Sequence, residues 1–366
     1  MSALKDLYTP EFYSGIAKCM TESIPGFEEQ AFIKLVYSPA FDNMELKARM
    51  KHTAECLHHF MPASYLEATI LLNKLVERLK AHGFWKERLE MMFLPNYIEV
   101  YGLDDPKTSL TAMESVTQYV SCEFAIRPFL RMYFDETINR MLDWTSHPHA
   151  RVRRLASEGC RPRLPWGLSI PLLKTDPTAI LPILEALKHD PDEAVRRSVA
   201  NNLNDISKDH PEVVIEIARS WKGYSKETDA IIKHGCRTLL KQSHESVLGH
   251  YDLDNQGITL EEFSIQNPDV RIGDALSFNF KICNTGEKPK TLRLEYAVHY
   301  KKSNGQLNRK VFKISERAYQ AGQQQTITRN QSFKPITTRR FYEGGHALDV
   351  IVNGSVMATG VFRVHS

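Results

Sequence analysis

Two hydrophobic rhythms divide this chain. Over roughly the first 250 residues, apolar positions recur every three or four places. Between Ala63 and Lys80 they are Ala68, Leu71, Leu72, Leu75, Val76 and Leu79. That i, i+3, i+4, i+7 spacing lines one side of a helix and predicts a buried stripe. Prolines punctuate the helical pattern. Asp176-Pro177 and Asp190-Pro191 read as an N-cap acid followed by proline at the first helical position, and His147-Pro148 and His210-Pro211 mark similar starts. The starts repeat. Val152-Arg153-Arg154 returns as Val195-Arg196-Arg197, 43 residues on, with a looser copy, Ile231-Ile232-Lys233, 36 residues later. Periods near 40 predict HEAT-like helix pairs, which stack into a curved solenoid with a concave face.

Beyond residue 250 the period becomes two. Leu276, Phe278, Phe280 and Ile282 alternate with polar residues, as do Leu292, Leu294, Tyr296, Val298 and Tyr300. Asn304-Gly305 and Asn353-Gly354 sit between strand-like runs and predict hairpins. About 100 residues of such strands predict an immunoglobulin-like sandwich. It lacks that fold's cysteine pair, because Cys283 stands alone there. The expected fold is therefore mostly α: a HEAT-like solenoid over 1–250, a linker over 251–267 and a β-sandwich over 268–366. At the junction, Asp252-Leu-Asp254-Asn-Gln-Gly257 opens like a calcium loop, but its twelfth position is Phe263 instead of glutamate, so it reads as a joining loop.

Composition adds two constraints. With 42% hydrophobic and 25% charged residues, the chain reads as soluble globular protein. It has no apolar run of about 18 residues, so no membrane span is expected. The opening Met-Ser-Ala-Leu-Lys-Asp does not read as a secretory signal. Six scattered cysteines without a C-x-x-C pair suit reduced thiols in the cytoplasm. The net charge of +3 hides an asymmetry. Residues 1–140 hold 15 Lys+Arg and 19 Asp+Glu, residues 141–268 hold 16 and 18, and residues 269–366 hold 16 and 7. The last segment is a basic module, for which nucleic acid is the leading anionic partner and a merely solvated basic surface the alternative.

The richest chemistry lies between Arg151 and Gly167. This run holds five arginines, Glu158, Trp166 and two prolines. On the helix expected near 149–160, Val152, Leu155, Ala156 and Gly159 face inward, while Arg154, Ser157, Glu158 and Arg161 share the other face. In the next repeat Arg197, Asn201 and Asp205 stack opposite the stripe of Val195, Val199, Leu203 and Ile206. The repeats thus aim cations and carboxylates at a common surface. An i, i+4 pair such as Arg154–Glu158 could equally serve only its own helix. Glu123 follows Val116, Tyr119 and Val120 on an apolar stripe, where a carboxylate is costly unless paired, and Arg127 is the partner expected. Trp166, held extended by Pro162 and Pro165, could stack on a base or be buried between repeats. No H-E-x-x-H frame, P-loop, dinucleotide fingerprint or iron–sulfur ligand set is found, so neither metal nor cofactor is expected.

Three segments, Ser121-Cys-Glu123-Phe-Ala-Ile-Arg127-Pro-Phe129, Arg151–Gly167 and Ser198-Val-Ala-Asn-Asn-Leu-Asn-Asp205, make the chain resemble the AlkC branch of bacterial alkylpurine DNA glycosylases. The basic sandwich resembles the immunoglobulin-like extension of one subset of that branch. The resemblance implies excision of cationic bases, chiefly 3-methyladenine and also 3-methylcytosine, from duplex DNA without base flipping. It implies Glu123, Glu158 and Asp205 as the acids and Trp166 as the aromatic. Arg154, Arg161, Arg163 and Arg197 are expected on phosphates around the lesion. In the sandwich, the loops carrying Lys301-Lys302 and Thr338-Arg339-Arg340 are the expected DNA contacts. A monomer suits an asymmetric lesion. The rival readings are a damage-binding repeat protein without chemistry, and a protein-binding scaffold.

Overall fold

A computed structural model describes residues 4–84, 88–336 and 339–366. The chain divides into two compact units, Met1–Gly235 and Cys236–Ser366. The first is helical. Its Tyr65–Ala81 helix buries Ala68, Leu72, Leu75, Val76 and Leu79, as the stripe predicts, and leaves Leu71 at the half-buried edge.

The expected repeat shows in how equivalent side chains are used. The Ala150–Gly159 and Glu193–Ile206 helices pack side by side, and Lys226–Gly235 follows on the far side of the second. Val152 and Val195 are both fully buried. The middle arginines perform the same task in each copy. Arg153 Nη1 donates to the carbonyls of His147 and Pro148, both at 2.9 Å, and Arg196 Nη1 to those of Asp190 and Pro191, at 2.7 and 2.8 Å. Each ties its helix to the turn before it. That leaves the third arginines, Arg154 and Arg197, for the outer face.

The helix starts need three corrections. Asp176-Pro177 leads into a 3-10 turn, Thr178–Ile180, and the α-helix begins only at Leu181. The cap of Glu193–Ile206 is Asp192, not Asp190: its Oδ1 accepts from the amides of Ala194 and Val195, at 2.8 and 3.2 Å. Asp190 instead takes the Arg153 fork at 2.6 and 3.0 Å and so links two layers. At His147-Pro148 the helix begins two residues later, with the His149 ring as cap. His210-Pro211 behaves as expected, since Pro211 is the first residue of Pro211–Trp221.

Among its described residues, the second unit opens with two short helices, Arg237–Lys241 and Glu245–His250, then eight strands. These are β1 (Ile258–Ile265), β2 (Asp269–Arg271), β3 (Ala275–Asn284), β4 (Lys290–Lys301), β5 (Leu307–Tyr319), β6 (Gln324–Ser332), β7 (Gly344–Val352) and β8 (Ser355–His365). One sheet is ordered β1-β3-β6, the other β2-β8-β7-β4-β5, with only the β2–β8 pair parallel. The segment expected as a linker, 251–267, contains β1, which pairs antiparallel with β3. Its sequence hides the strand because a register shift between Glu261 and Ser264 breaks the alternation. The break between units also falls earlier than residue 250, so the two short helices belong with the strands.

Leu276, Phe278, Phe280 and Ile282 from one sheet meet Leu292, Leu294 and Val298 from the other in a single core. The hairpins fall where predicted. Asn353 and Gly354, at φ 45° and 81°, join β7 to β8 with the paired positive φ of a type I′ turn. Asp252–Gly257 is a joining loop, in which Asp254 accepts from the Gln256 amide at 2.9 Å and pairs with Lys290.

Candidate active site

The helical unit carries a cleft of about 510 Å³. Glu123, Arg154, Glu158 and Arg197 line it, together with Ser121, Arg151, Asp192 and Asn201. They come from one turn and two helices. Glu123 lies in the turn between the Pro106–Val116 and Ile126–Met132 helices, Arg154 and Glu158 lie one turn apart on Ala150–Gly159, and Arg197 and Asn201 lie on Glu193–Ile206.

The acids are joined by a relay of arginines. Arg154 Nη1 donates to Glu123 Oε2 at 2.9 Å, and its Nη2 stands 3.7 Å from Glu158 Oε2. Ser121 Oγ adds a bond to Glu123 at 2.9 Å. Arg161 then bridges the remaining acids, with Nη1 2.6 Å from Glu158 Oε1 and Nε 2.9 Å from Asp205 Oδ2. Lys208 Nζ closes the chain on Asp205 Oδ1 at 3.0 Å. Glu158 is 5% exposed and Asp205 2%. Charges so deeply placed persist only when paired and hydrogen-bonded, which this relay provides.

Several expectations change. Glu123 is in a turn, not on the helical stripe, and its partner is Arg154, not Arg127. Arg161 is buried and committed to two carboxylates, so it is a bridge between acids instead of a phosphate contact. Ser157 is also buried, with its hydroxyl 3.1 Å from that of Ser198. Asp205 reaches Glu158 through Arg161 but does not line the cleft. Arg163 is partly exposed and paired in a fork with Asp209, at 3.0 and 2.6 Å; that partner holds the Asp209 carboxyl below its ordinary range. Arg197 lies exposed at the cleft wall.

Trp166 is the exposed alternative of its two readings, with 61% of its surface accessible. Its backbone is left-handed, at φ 64°, which is uncommon for a bulky residue. It stands on the loop beyond the helix, outside the residues that line the cleft.

Sequence reasoning missed Ser121 and Lys208 as site residues, and it set Asn201 on the same face as Arg197 without giving it a role. Asn201 Oδ1 lies 3.0 Å from His234 Nε2, a tertiary bond from a helix 33 residues on that no local pattern reveals. Lys208 had a signal, the i, i+3 spacing from Asp205.

In the sandwich unit, Lys302 lies exposed at the Asn304-Gly305 hairpin, and Lys301 runs beside Gly344, where a Cβ would meet its ammonium at 2.6 Å. The Arg339 guanidinium stacks 4.4 Å from the Tyr300 ring, beside Lys301 at the end of β4, and that of Arg340 lies 5.6 Å from Tyr342 in its own segment. Thr338 lies outside the described residues. Among the described residues, no helix is long and apolar enough to cross a membrane.

Comparison with known proteins matches both units. Residues 117–231 match the family of DNA alkylation repair enzymes, and residues 259–366 match the C-terminal Ig-like domain of the uncharacterised protein YhaZ. YhaZ of Bacillus subtilis (strain 168) is 40% identical over 365 residues, covering all of both chains. The structure of the Pseudomonas fluorescens alkylpurine DNA glycosylase AlkC, bound to DNA containing an abasic site analog, superposes with a TM-score of 0.93 at 35% identity over the full length of both chains.

Proposed function

The chain belongs to the AlkC family of alkylpurine DNA glycosylases, and we propose that it hydrolyses the N-glycosidic bond of cationic N3-methylated bases, 3-methyladenine first and 3-methylcytosine second, in duplex DNA. The observation that carries this reading is the Glu123–Arg154–Glu158–Arg161–Asp205 relay, with two of its acids on an open cleft.

Methylation at N3 makes the base a good leaving group. When the C1′–N bond breaks, its electron pair goes to the base, which departs neutral and needs little help from a general acid. The deoxyribose becomes an oxocarbenium ion, and a nearby carboxylate stabilises it. A second carboxylate orients the water that attacks C1′ and accepts its proton. Glu158 is proposed for the sugar cation and Asp205 for the water, with Glu123 sharing that role. Trp166 supplies an aromatic face at the sugar or base. Arg154, Arg163 and Arg197 hold phosphates, which requires Arg154 and Arg163 to exchange their carboxylate partners for DNA.

The repeats are read as a solenoid whose concave face receives the backbone side of the lesion, so that no base need leave the stack. Lability of the glycosidic bond, not the shape of the base, then sets selectivity. The sandwich grips the duplex through Lys301, Lys302, Arg339 and Arg340. A monomer acting in the cytoplasm suffices, without metal or cofactor.

The test is release of methylated bases from duplex DNA treated with a methylating agent, comparing the native chain with Glu158→Gln and Asp205→Asn. Release of 3-methyladenine by the native chain, reduced at least about 100-fold in the variants while DNA binding persists, is expected. Salt-sensitive binding without release by the native chain would instead make this a damage-binding protein, with the acids as repeat-tying pairs.

A further inference from the structure

Arg127 is buried beneath the site, 1% exposed, yet among the described residues its hydrogen bonds go to carbonyls and not to a carboxylate. Its guanidinium is spent on carbonyls. Nη1 donates to Gly159 O at 2.8 Å and Arg161 O at 3.0 Å, and Nε donates to Leu168 O. These carbonyls bracket the loop that leaves the Ala150–Gly159 helix. Burial pulls the Arg127 pKa down to about 10, so the group stays charged at neutral pH. An ion taken out of water at such cost, and hydrogen-bonded to main-chain carbonyls, fixes those dipoles in turn.

Two functional groups hang on that loop. Arg161, whose carbonyl Arg127 holds, is the bridge between Glu158 and Asp205. Trp166 lies two residues before the Leu168 carbonyl, in a backbone conformation that costs free energy and persists only when its surroundings impose it. The other restraints agree. Gly167 N donates to Leu164 O at 3.1 Å, and Lys47, from the Leu46–His58 helix, donates to the Trp166 carbonyl. Gly167 leaves little spare room against Arg127, since a Cβ there would meet Arg127 Cδ at 3.0 Å and Nε at 3.1 Å.

We infer that Arg127 is the positioning residue of this site, holding the 159–168 loop so that the Arg161 bridge and the Trp166 plate are set before DNA arrives. It touches no reacting atom and acts through those two residues. The inference deepens the glycosylase reading and rests on it for its effect on rate, but its effect on Trp166 is independent of that reading.

Two variants test it and a third serves as rescue. Arg127→Met removes the donors and keeps the apolar stem, and Gly167→Ala presses on the same guanidinium without removing a buried charge. Arg127→Lys restores the charge and one donor. Three quantities are read on folded protein: the single-turnover rate of 3-methyladenine release at saturating protein, the affinity for duplex DNA holding an abasic analogue, and the Trp166 fluorescence, taken as the difference from Trp166→Phe in each background. The expected result for Arg127→Met is a rate reduced about 100-fold with affinity within about threefold, a Trp166 emission shifted toward that of a mobile, solvated indole, and partial recovery with Arg127→Lys. Gly167→Ala is expected to move rate and emission in the same direction by less, and it decides the matter if Arg127→Met does not fold. Native rate and native Trp166 emission in either folded variant would overturn the inference. Absence of release by the native chain would overturn the glycosylase reading alone, and the fluorescence would still decide the role of Arg127.

Discussion

Arg161 and Arg163 lie two residues apart and would be interchangeable by composition. Their surroundings separate them. Arg161 is buried between two acids, whereas Arg163 and Asp209 meet at a partly exposed fork. Removing one partner of a buried network strands the others, so Arg161→Met should lower unfolding stability by about 3 kcal/mol or more, softened by the contacts Arg154 and Lys208 keep with the orphaned acids. Arg163→Ala should cost less than about 1 kcal/mol. Urea unfolding of the two variants measures the difference, and equal losses would contradict this division. His346 carries a different kind of dependence. It is 2% exposed and stacked on Phe362, its Nδ1 faces the Lys301 amide at 3.3 Å and its Nε2 the Tyr342 carbonyl at 3.0 Å. Burial lowers its pKa below the ordinary 6.5, and the nearby Lys301 charge adds to this. Below pH 6.5 the unfolded chain therefore binds a proton that the folded chain resists. The stability it supports is complete above pH 6.5 and declines as pH falls through and below that value. Melting temperatures of the native chain and His346→Gln across pH 5 to 8 should show a shallower acid slope in the variant.

Elements were legible where one face is wet and the other dry. The Tyr65–Ala81 stripe and the alternation on β3 read directly from spacing. β4 read only by half, because its second face is also buried: Arg293 sits there with Nη2 2.6 Å from Glu295 and Nη1 2.8 Å from Glu316. Charged residues on a strand look like solvent in one dimension, and only their pairing across β4 and β5 shows otherwise. The Glu123 turn was misread for a related reason. The apolar run from Val116 continues through Tyr119 and Val120 in number but leaves the helix at Thr117. The segments of the site were visible in sequence. The arginine relay was not, because Arg154–Glu123 and Arg161–Asp205 join residues 31 and 44 positions apart. The hairpins allow a sharper test. Gly305 and Gly354 both have φ 81°, but a Cβ at Gly305 meets nothing, whereas one at Gly354 meets Leu248 Cδ1 at 2.5 Å and Ser243 Cβ at 3.0 Å. Gly305→Ala should cost only the left-handed backbone penalty, about 1–2 kcal/mol, and Gly354→Ala clearly more. Thermal melts that rank them in the opposite order would mean the Leu248 side chain yields freely.

At the scale of the whole molecule, charge is the property that sequence alone distributes most plainly. Residues 269–366 carry 16 cationic side chains and 7 acidic ones, while the preceding segments are both acidic in balance. In the helical unit, most of the arginines at the candidate site already hold carboxylates, so forming a phosphate contact there means exchanging one anion for another. Among the described residues, Lys302 and Arg340 are exposed cations without a carboxylate to exchange. Counterion release should therefore be concentrated in the sandwich. Each phosphate neutralised contributes about 0.9 to the slope of log affinity against log salt. The double variant Lys302→Ala, Arg340→Ala should reduce the magnitude of that slope by nearly 2, equally on undamaged duplex and on duplex holding an abasic analogue, because phosphate contacts carry no lesion information. Arg161→Met should leave the slope unchanged, since its guanidinium serves the acids and not the DNA. Affinity measured by fluorescence anisotropy between about 50 and 200 mM salt gives each slope. An unchanged slope in the double variant would assign these two cations to ordinary surface solvation, and the basic balance of the sandwich would then need other side chains to account for any grip on the duplex.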